Sequence, residues 1–539
     1  MELESLNIPA INRFASQYLK QEEPVTSFFH YNLNSPTVYS ERMNDIQSRG
    51  FPRAGLAECI SSYMEELPGS KKVEESLEKI KKDAVTVVAG QQAGLLTGPL
   101  YTIHKIISVI QLARQQEAEL KHPVVPVFWI AGEDHDYQEV NHIYVEKGSK
   151  LEKTGYPERV IDKKMTSQIT YTKSVMKKWL DEILAAFGET EYTKPLSVEL
   201  YEMIDNEESI VRFFARIIMS LFKDFGLLVI DSSYPSLRRL ESQHFQYLIE
   251  NSQSITNEVL KQQDEIRGNG FHPQLDIAPT SANLFLQIRN ERALLDRDGN
   301  TFFEKNNGRN YSLMELLSKL EESPETFSNN VVTRPLMQEW LFPTLAFIAG
   351  PGEIAYWGEL KKAFEFVDLK MPPVVPRLNI TIVEREVDKK IRDLQLTLHG
   401  VITEGVSTAR DAFWKSLESP RLESEMKEIE EELKRKYEMI RQQAAMIDKG
   451  LNSIIDKNLE FHLAQFNYLR KKVDKAQEDK HSLTFAQFMK VENSIRPNGG
   501  PQERTWNLLY FLNKYGPGFV TDLTLQDFTF DGTHKVVYL

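Results

Sequence analysis

Apolar residues follow two different rhythms along this chain, and the change comes near residue 383. Before it, short β-branched runs alternate with helical stretches. VTVVAG at 85–90 is β-branched and apolar on both faces, as a strand covered on both faces must be. Four further runs have the same character: PVVPVFWIAG ending near Gly132, GLLVIDSS at 226–233, PTLAFIAGPGE at 343–353 and PPVVPRLNIT at 372–381. Between the first two, Ile103, Ile106, Ile107, Ile110 and Leu112 recur at helical spacing, and Pro99 suits the first turn, so a helix is predicted to about Leu120. Another is predicted over about 208–224. Residues 1–84 read as mainly helical: one helix ends between Tyr18 and Val25, and others cover 56–67 and 71–82, split by Pro68-Gly69. Such alternation predicts an α/β fold with a doubly wound, mostly parallel sheet. Segments at about 145–200 and 265–330 interrupt it as insertions. In the second, Asp298-Gly299 between strand-like runs predicts a hairpin.

Beyond 383 the spacing becomes that of a coiled coil. Leu422, Met426, Ile429, Leu433, Tyr437, Ile440, Ala444, Ile447, Leu451 and Ile454 recur at steps of three and four, with charged residues between them. A helix at 387–398 is expected to pack antiparallel against this seam. Pro497, Gly499 and Gly500 stop the helices. The predicted domains are a catalytic core at 1–382, a helical coiled coil at 383–495, and a tail at 496–539 that packs back on one of them.

Composition narrows the function classes. With 65 basic and 78 acidic residues the net charge is −13, which repels phosphate backbones at long range and disfavours nucleic acid as a partner. A local basic pocket for a small anion remains compatible with that balance. The single cysteine, Cys59, forbids an internal disulfide and reads as a small buried residue. No apolar run reaches membrane-spanning length and the first residues lack a signal-peptide pattern, so a cytoplasmic protein without membrane contact is expected.

Candidate chemistry gathers at three strand tips. The first carries Gly90, Gln91, Gln92, Gly94, Thr97 and Gly98, followed by Tyr101, His104 and Lys105 on the helix; glycine-bearing turns before a helix suit anions. The second is Glu133-Asp134-His135-Asp136, four titratable residues in a row, able to hold an ammonium group or carry a proton. The third is Gly350, Gly352, Glu353 and Tyr356. Arg334, Arg377 and Asn379 are candidates for clamping a carboxylate or phosphate. Each also has a structural reading: tight turns for the glycines, a helix cap for Asp136, surface ion pairs for the arginines. No metal site is expected, because no second His or Cys stands at ligand spacing from His135; His142 is seven residues on. A single catalytic pocket requires the three tips to converge on one rim of the sheet.

Taken together, GQQAGLLTGPLYTIHK, VPVFWIAGEDHDYQEVNH, FIAGPGEIAYWGELK and PNGGPQERTWN with FLNKYGPGF resemble the BshC family of bacillithiol biosynthesis, in order and over essentially the whole chain. The resemblance implies a Rossmann-type core with connecting-peptide-like insertions and a coiled coil that pairs two subunits. It implies a ligase joining the carboxyl of cysteine to the amine of glucosaminyl-malate. On that reading Asp134 or Asp136 meets the cysteine ammonium, Arg334, Arg377 and Lys105 meet the malyl carboxylates, and His135 is the base. ATP is the expected activator, with its phosphates near the 90–98 turn. The core is also similar to class I aminoacyl-tRNA synthetases, whose HIGH tetrapeptide matches residues 101–104 only at His104. An adenylate-forming enzyme on another substrate and a non-catalytic coiled-coil adaptor are the alternative classes. Nothing in the ligation needs a protein thiol, so Cys59→Ser is expected to keep full activity, checked by assaying the folded variant.

Overall fold

The computed structural model describes residues 1–148, 150–158, 164–289, 291–305, 308–417 and 419–539. They form two compact units, one of Met1–Val383 with Gly500–Leu539, the other of Glu384–Gly499. Parts of both expected insertions lie outside the described residues.

The first unit is built on a five-stranded parallel sheet. Its strands are β1 (Val85–Gln91), β2 (Val124–Ile130), β3 (Leu228–Asp231), β4 (Thr344–Ala349) and β5 (Val374–Pro376), in the spatial order β5-β4-β1-β2-β3. All of β2 and all but the last residue of β1 are buried, which is why these runs show no polar alternation. After β1 the chain proceeds to one side through β2 and β3, then returns to the other through β4 and β5. The gap between the carboxyl ends of β1 and β4 is therefore the topological switch point, where open α/β sheets bind ligands. Helix α1 (Leu100–Leu120) covers the sheet after β1, and α2 (Pro351–Trp357) follows β4 directly. The Asp298-Gly299 hairpin forms as expected, within a five-stranded sheet covering 281–329.

The run 372–381, expected as one strand, is two. β5 ends at Pro376 with a last ladder bond from the Arg377 N–H to the Ala349 carbonyl at 2.9 Å; the chain then leaves the sheet, and the Leu378 N–H goes to the Ser108 hydroxyl at 2.9 Å. Ile380–Val383 then joins a separate sheet with His534–Tyr538, which itself pairs with Glu2–Leu6. The strand at 2–6 was not foreseen, because its faces are mostly exposed and carry no strong pattern.

In the second unit the apolar seam is not one continuous helix. It breaks at Asp448–Leu451, giving α3 (Pro420–Ile447) and α4 (Asn452–Lys480). Arg470 reaches Glu423 at 3.1 Å and Glu430 at 2.6 Å, Tyr437 meets Asn458, and Arg441 meets Asp456, so the two helices form an antiparallel hairpin. The partner of α3 is thus α4 rather than the earlier helix; that one, observed as Arg385–Asp393, packs on Ser482–Ile495. A Gly450-containing turn is short enough to hide inside a heptad count. No helix among the described residues is long and apolar enough to cross a membrane.

The turn after β1 is the tightest part of the sheet's rim. Leu96, Thr97 and Gly98 all have positive φ, at 51°, 78° and 68°. The Asn507 side-chain amide donates to the carbonyls of Leu96 at 2.8 Å and Gly98 at 2.7 Å. A Cβ on Gly94 would stand 2.5 Å from the Gly98 Cα, backbone against backbone. Gly94→Ala is therefore expected to cost at least about 1–3 kcal/mol of stability, measured by urea denaturation.

Candidate active site

A cavity of about 330 Å³ opens at the switch point. Gly90, Gln91 and Gln92 reach it from the end of β1, Trp129 and Ala131 from β2, and Gly350–Glu353 with Tyr356 from β4 and α2. Tyr101 and Lys105 project from α1, and Arg334, Arg377 and Arg504 complete the wall.

Lys105 ties the two sides of the switch point together. Its Nζ donates to the Gly90 carbonyl at 2.8 Å, the Gln91 side-chain oxygen at 2.9 Å and Glu353 Oε2 at 2.5 Å. The same carboxylate oxygen accepts the Gly350 N–H at 2.8 Å. All three ammonium protons are used. Burial pulls the Lys105 pKa down, and the Glu353 charge opposes that. Lys105, expected as a clamp for substrate, is first a structural cation.

The arginines differ in how far they are already satisfied. Arg377 is held bidentately by Glu503, at 2.6 Å and 2.5 Å, and also donates to the Leu378 carbonyl at 3.1 Å. Arg334 donates to Gln338 at 3.1 Å and to the Tyr356 hydroxyl, neutral partners both. Burial pushes Tyr356 up to about 12, so the phenol stays protonated beside that guanidinium. Arg504 is exposed on the cavity wall. Four cations thus line the cavity, and the carboxylates of Glu353 and Glu503 answer only two of them. Arg334 and Arg504 have no carboxylate partner among the described residues. Such a wall suits an anionic ligand.

The second tip joins the cavity at one corner. Gln92 donates from Nε2 to Asp134 Oδ2 at 2.6 Å, so Asp134 adjoins the rim without lining it. Asp134 Oδ1 accepts the His135 N–H at 2.7 Å and lies 3.9 Å from His135 Nδ1. The His135 ring is half-buried and sits edge-on to Phe285 at 6.0 Å. Asp136 is exposed and its side chain makes no cap bond to the helix it precedes. Glu139, nearby, has its carboxyl raised by burial and by the charges of Asp136 and Asp134. The three tips do converge on one rim, with Gln92 as the bridge.

Several expected residues stand elsewhere. Glu133 turns inward, where it pairs with the buried Arg238, which also holds Glu241 at 2.5 Å. It anchors the rim and does not reach the cavity. His104 is fully buried beneath the cavity, its Nδ1 3.1 Å from Glu503 Oε2. Burial lowers its pKa, so the ring is neutral and makes no contact with the lining. Gly94, Thr97 and Gly98 form the tight turn behind the rim; the Gly94 and Gly98 amides are spent on the Gln92 and Leu95 carbonyls. The Leu100 N–H, at the start of α1, goes to the Trp506 carbonyl at 2.9 Å, so this helix start is filled by the chain itself. Asn379 is half-buried, and its carbonyl accepts the Lys535 N–H at 2.8 Å. Conversely, Trp129, Ala131, Pro351 and Arg504 line the cavity unforeseen. The first three lie in runs read as packing. Arg504 lies in a tail that no local pattern ties to a site more than a hundred residues earlier in sequence than its own helix.

Comparison with known proteins accounts for both units. Residues 1–378 match the family model "Bacillithiol biosynthesis BshC, N-terminal Rossmann-like domain", and residues 380–539 match "Bacillithiol biosynthesis BshC, C-terminal coiled-coil domain". The chain belongs to the BshC family. Relatives in Anoxybacillus flavithermus, Bacillus velezensis and a Geobacillus species are 39%, 40% and 40% identical to it, each over 100% of both chains, and each bears the name "Putative cysteine ligase BshC". As a BshC it is an enzyme of the ligase class, with a Rossmann-like unit and a coiled-coil unit.

The uneven satisfaction of the cations separates structural from ligand-binding roles in this BshC. Lys105→Met strips a partly buried carboxylate of its partner and is expected to cost about 3–5 kcal/mol of folding stability. Arg334→Gln, whose guanidinium faces no carboxylate, is expected to lower stability by less than about 1 kcal/mol while abolishing anion uptake. Urea denaturation of both variants beside an anion-binding titration checks the contrast.

Proposed function

We propose that this BshC forms an amide between the carboxyl of cysteine and the amine of glucosaminyl-malate, in the cavity at the switch point. The observation that carries the reading is a wall with two uncompensated guanidinium groups, beside an acidic corner at Asp134. Glucosaminyl-malate carries two carboxylates on its malyl end and the reacting amine on its sugar, so its malyl end suits Arg334, Arg377 and Arg504. Cysteine carries an ammonium group, which suits Asp134 and, farther out, Asp136. We assign His135 to take the proton that the attacking amine loses; its ring stands 3.9 Å from the Asp134 carboxylate, which favours an imidazolium once formed.

A carboxylate does not condense with an amine unaided in water, and ATP is the proposed activator: it supplies a phosphorus electrophile that carries off one carboxyl oxygen as the C–N bond forms. The 94–98 turn and the start of α1 fit its phosphates poorly, because amides of Gly94, Gly98 and Leu100 are already bonded. The arginine wall fits them better. The cavity volume of about 330 Å³ sits at the low end of small-molecule sites, roughly 300–1,000 Å³, so a nucleotide and both substrates would have to extend past its mouth.

We also propose that two copies pair through the coiled coil and that the protein works in the cytoplasm. Ile429, Ile440, Ile447 and Ile454 stand 52%, 48%, 84% and 62% exposed on the hairpin, a costly surface for a chain that stays single.

The test incubates the full-length protein with cysteine, glucosaminyl-malate and ATP and follows the amide by mass spectrometry. Product is expected, and Asp134→Asn with His135→Asn is expected to lower kcat/KM by at least about a hundredfold. Glu133 stays intact in that variant, because its pairing with Arg238 would turn the measurement into one of folding. Absence of amide from the wild-type protein would overturn the reading.

A further inference from the structure

Four residues of the tail segment 502–507 brace the candidate site. Glu503 grips Arg377, Arg504 lines the cavity, the Trp506 carbonyl takes the first amide of α1, and Asn507 holds the strained turn at Leu96 and Gly98. Glu503 is the hub. Its two oxygens accept both Arg377 nitrogens and one of them also meets His104 Nδ1. Burial alone would raise its carboxyl pKa, but the charge of Arg377 and the hydrogen bond from His104 outweigh that and hold it well below the usual carboxylate range. His534, from the last strand, lies close enough to feel the same charges and donates to or accepts from Thr381 at 2.8 Å.

We propose that Glu503 is a positioning residue: from the C-terminal tail it fixes the plane of the Arg377 guanidinium so that the remaining edge of the fork faces the cavity, and Arg504 beside it sets the site's demand for a dianion. The inference rests on the reading of this cavity as an acidic-substrate site. A guanidinium has five donors in a fixed fork. The bidentate grip and the Leu378 carbonyl orient that fork, and a rotatable arginine would lose the entropy of being ordered each time a ligand bound. His104 contributes by holding Glu503 from the far side, which gives the one matching residue of the 101–104 segment a supporting task below the reacting atoms. The ligand chemistry recognised is a compact dianion, whether a dicarboxylate or a phosphoryl group.

The experiment uses the full-length protein, with L-malate and inorganic phosphate titrated separately by calorimetry, and steady-state kinetics with both substrates. Wild type is expected to bind the anion that belongs to the site, and the two titrations distinguish dicarboxylate from phosphate. In Glu503→Gln the Kd for that anion and the KM of the substrate that carries it, glucosaminyl-malate for the dicarboxylate or ATP for phosphate, are expected to rise roughly tenfold or more, with the KM for cysteine and kcat changed by less than about threefold. Glu503→Asp, which keeps the charge on a shorter arm, is expected to recover part of the affinity, and it carries the test if the Gln variant does not fold. Unchanged anion affinity in a folded variant overturns the inference and leaves the cavity reading standing. Equal loss of kcat and of affinity for both substrates, in step with lost stability, shows a merely structural carboxylate and also overturns it. If wild type binds neither anion, the reading of the cavity falls and the inference with it.

Discussion

One buried ammonium group decides the shape of this site. The ends of β1 and β4 belong to segments more than two hundred residues apart in sequence, and Lys105 holds them together by donating to Gly90, Gln91 and Glu353 at once. Taking an ammonium out of water costs several kcal/mol, and the cost is offset only when each proton finds an acceptor and the charge finds an opposite. Both conditions are met here. The carboxylate that meets the charge also receives the Gly350 amide, so the helix after β4 is fastened at its cap residue. The cavity exists because that knot stands on one side of it and the Glu503–Arg377 pair on the other.

Electrostatics on two scales coexist in the molecule. Its net charge of −13 is a statement about the far field and about solubility. Within a few ångströms of the cavity the sign is reversed, because four cations converge there against two carboxylates. Low-dielectric walls keep that local excess from being averaged away by distant acidic residues. Composition therefore disfavours a polyanion as partner and is silent about a small one.

What could be read in the sequence follows from what local pattern encodes. The strands β1 to β4 were legible because burial on both faces leaves mostly apolar residues, and their tips because polar residues crowd where a strand stops. The run 372–381 misled because both of its halves are strand-like, and only the bond from Leu378 to Ser108 shows where the chain leaves one sheet for the other. The seam at 422–454 misled because a turn at 448–451 preserves the heptad phase on both sides. Within the site, Asp134 and Glu133 look equivalent in sequence, yet one faces Gln92 and the other a buried arginine. That distinction is set by Arg238, more than a hundred residues away. Arg504 and Glu503 needed the longest reach of all, and only the likeness of PNGGPQERTWN to a family pattern marked their segment.

The pairing of Glu2–Leu6 with His534–Tyr538 bears on how the protein is made. Glu4 and the Tyr538 hydroxyl meet although they are 534 residues apart. At roughly 5–20 residues per second, synthesis leaves the opening strand without its partner for about half a minute to two minutes. A similar delay applies to the cavity wall, since Glu503 and Arg504 follow the last strand of the five-stranded sheet by more than a hundred residues. That sheet can therefore assemble on the growing chain well before its binding pocket closes.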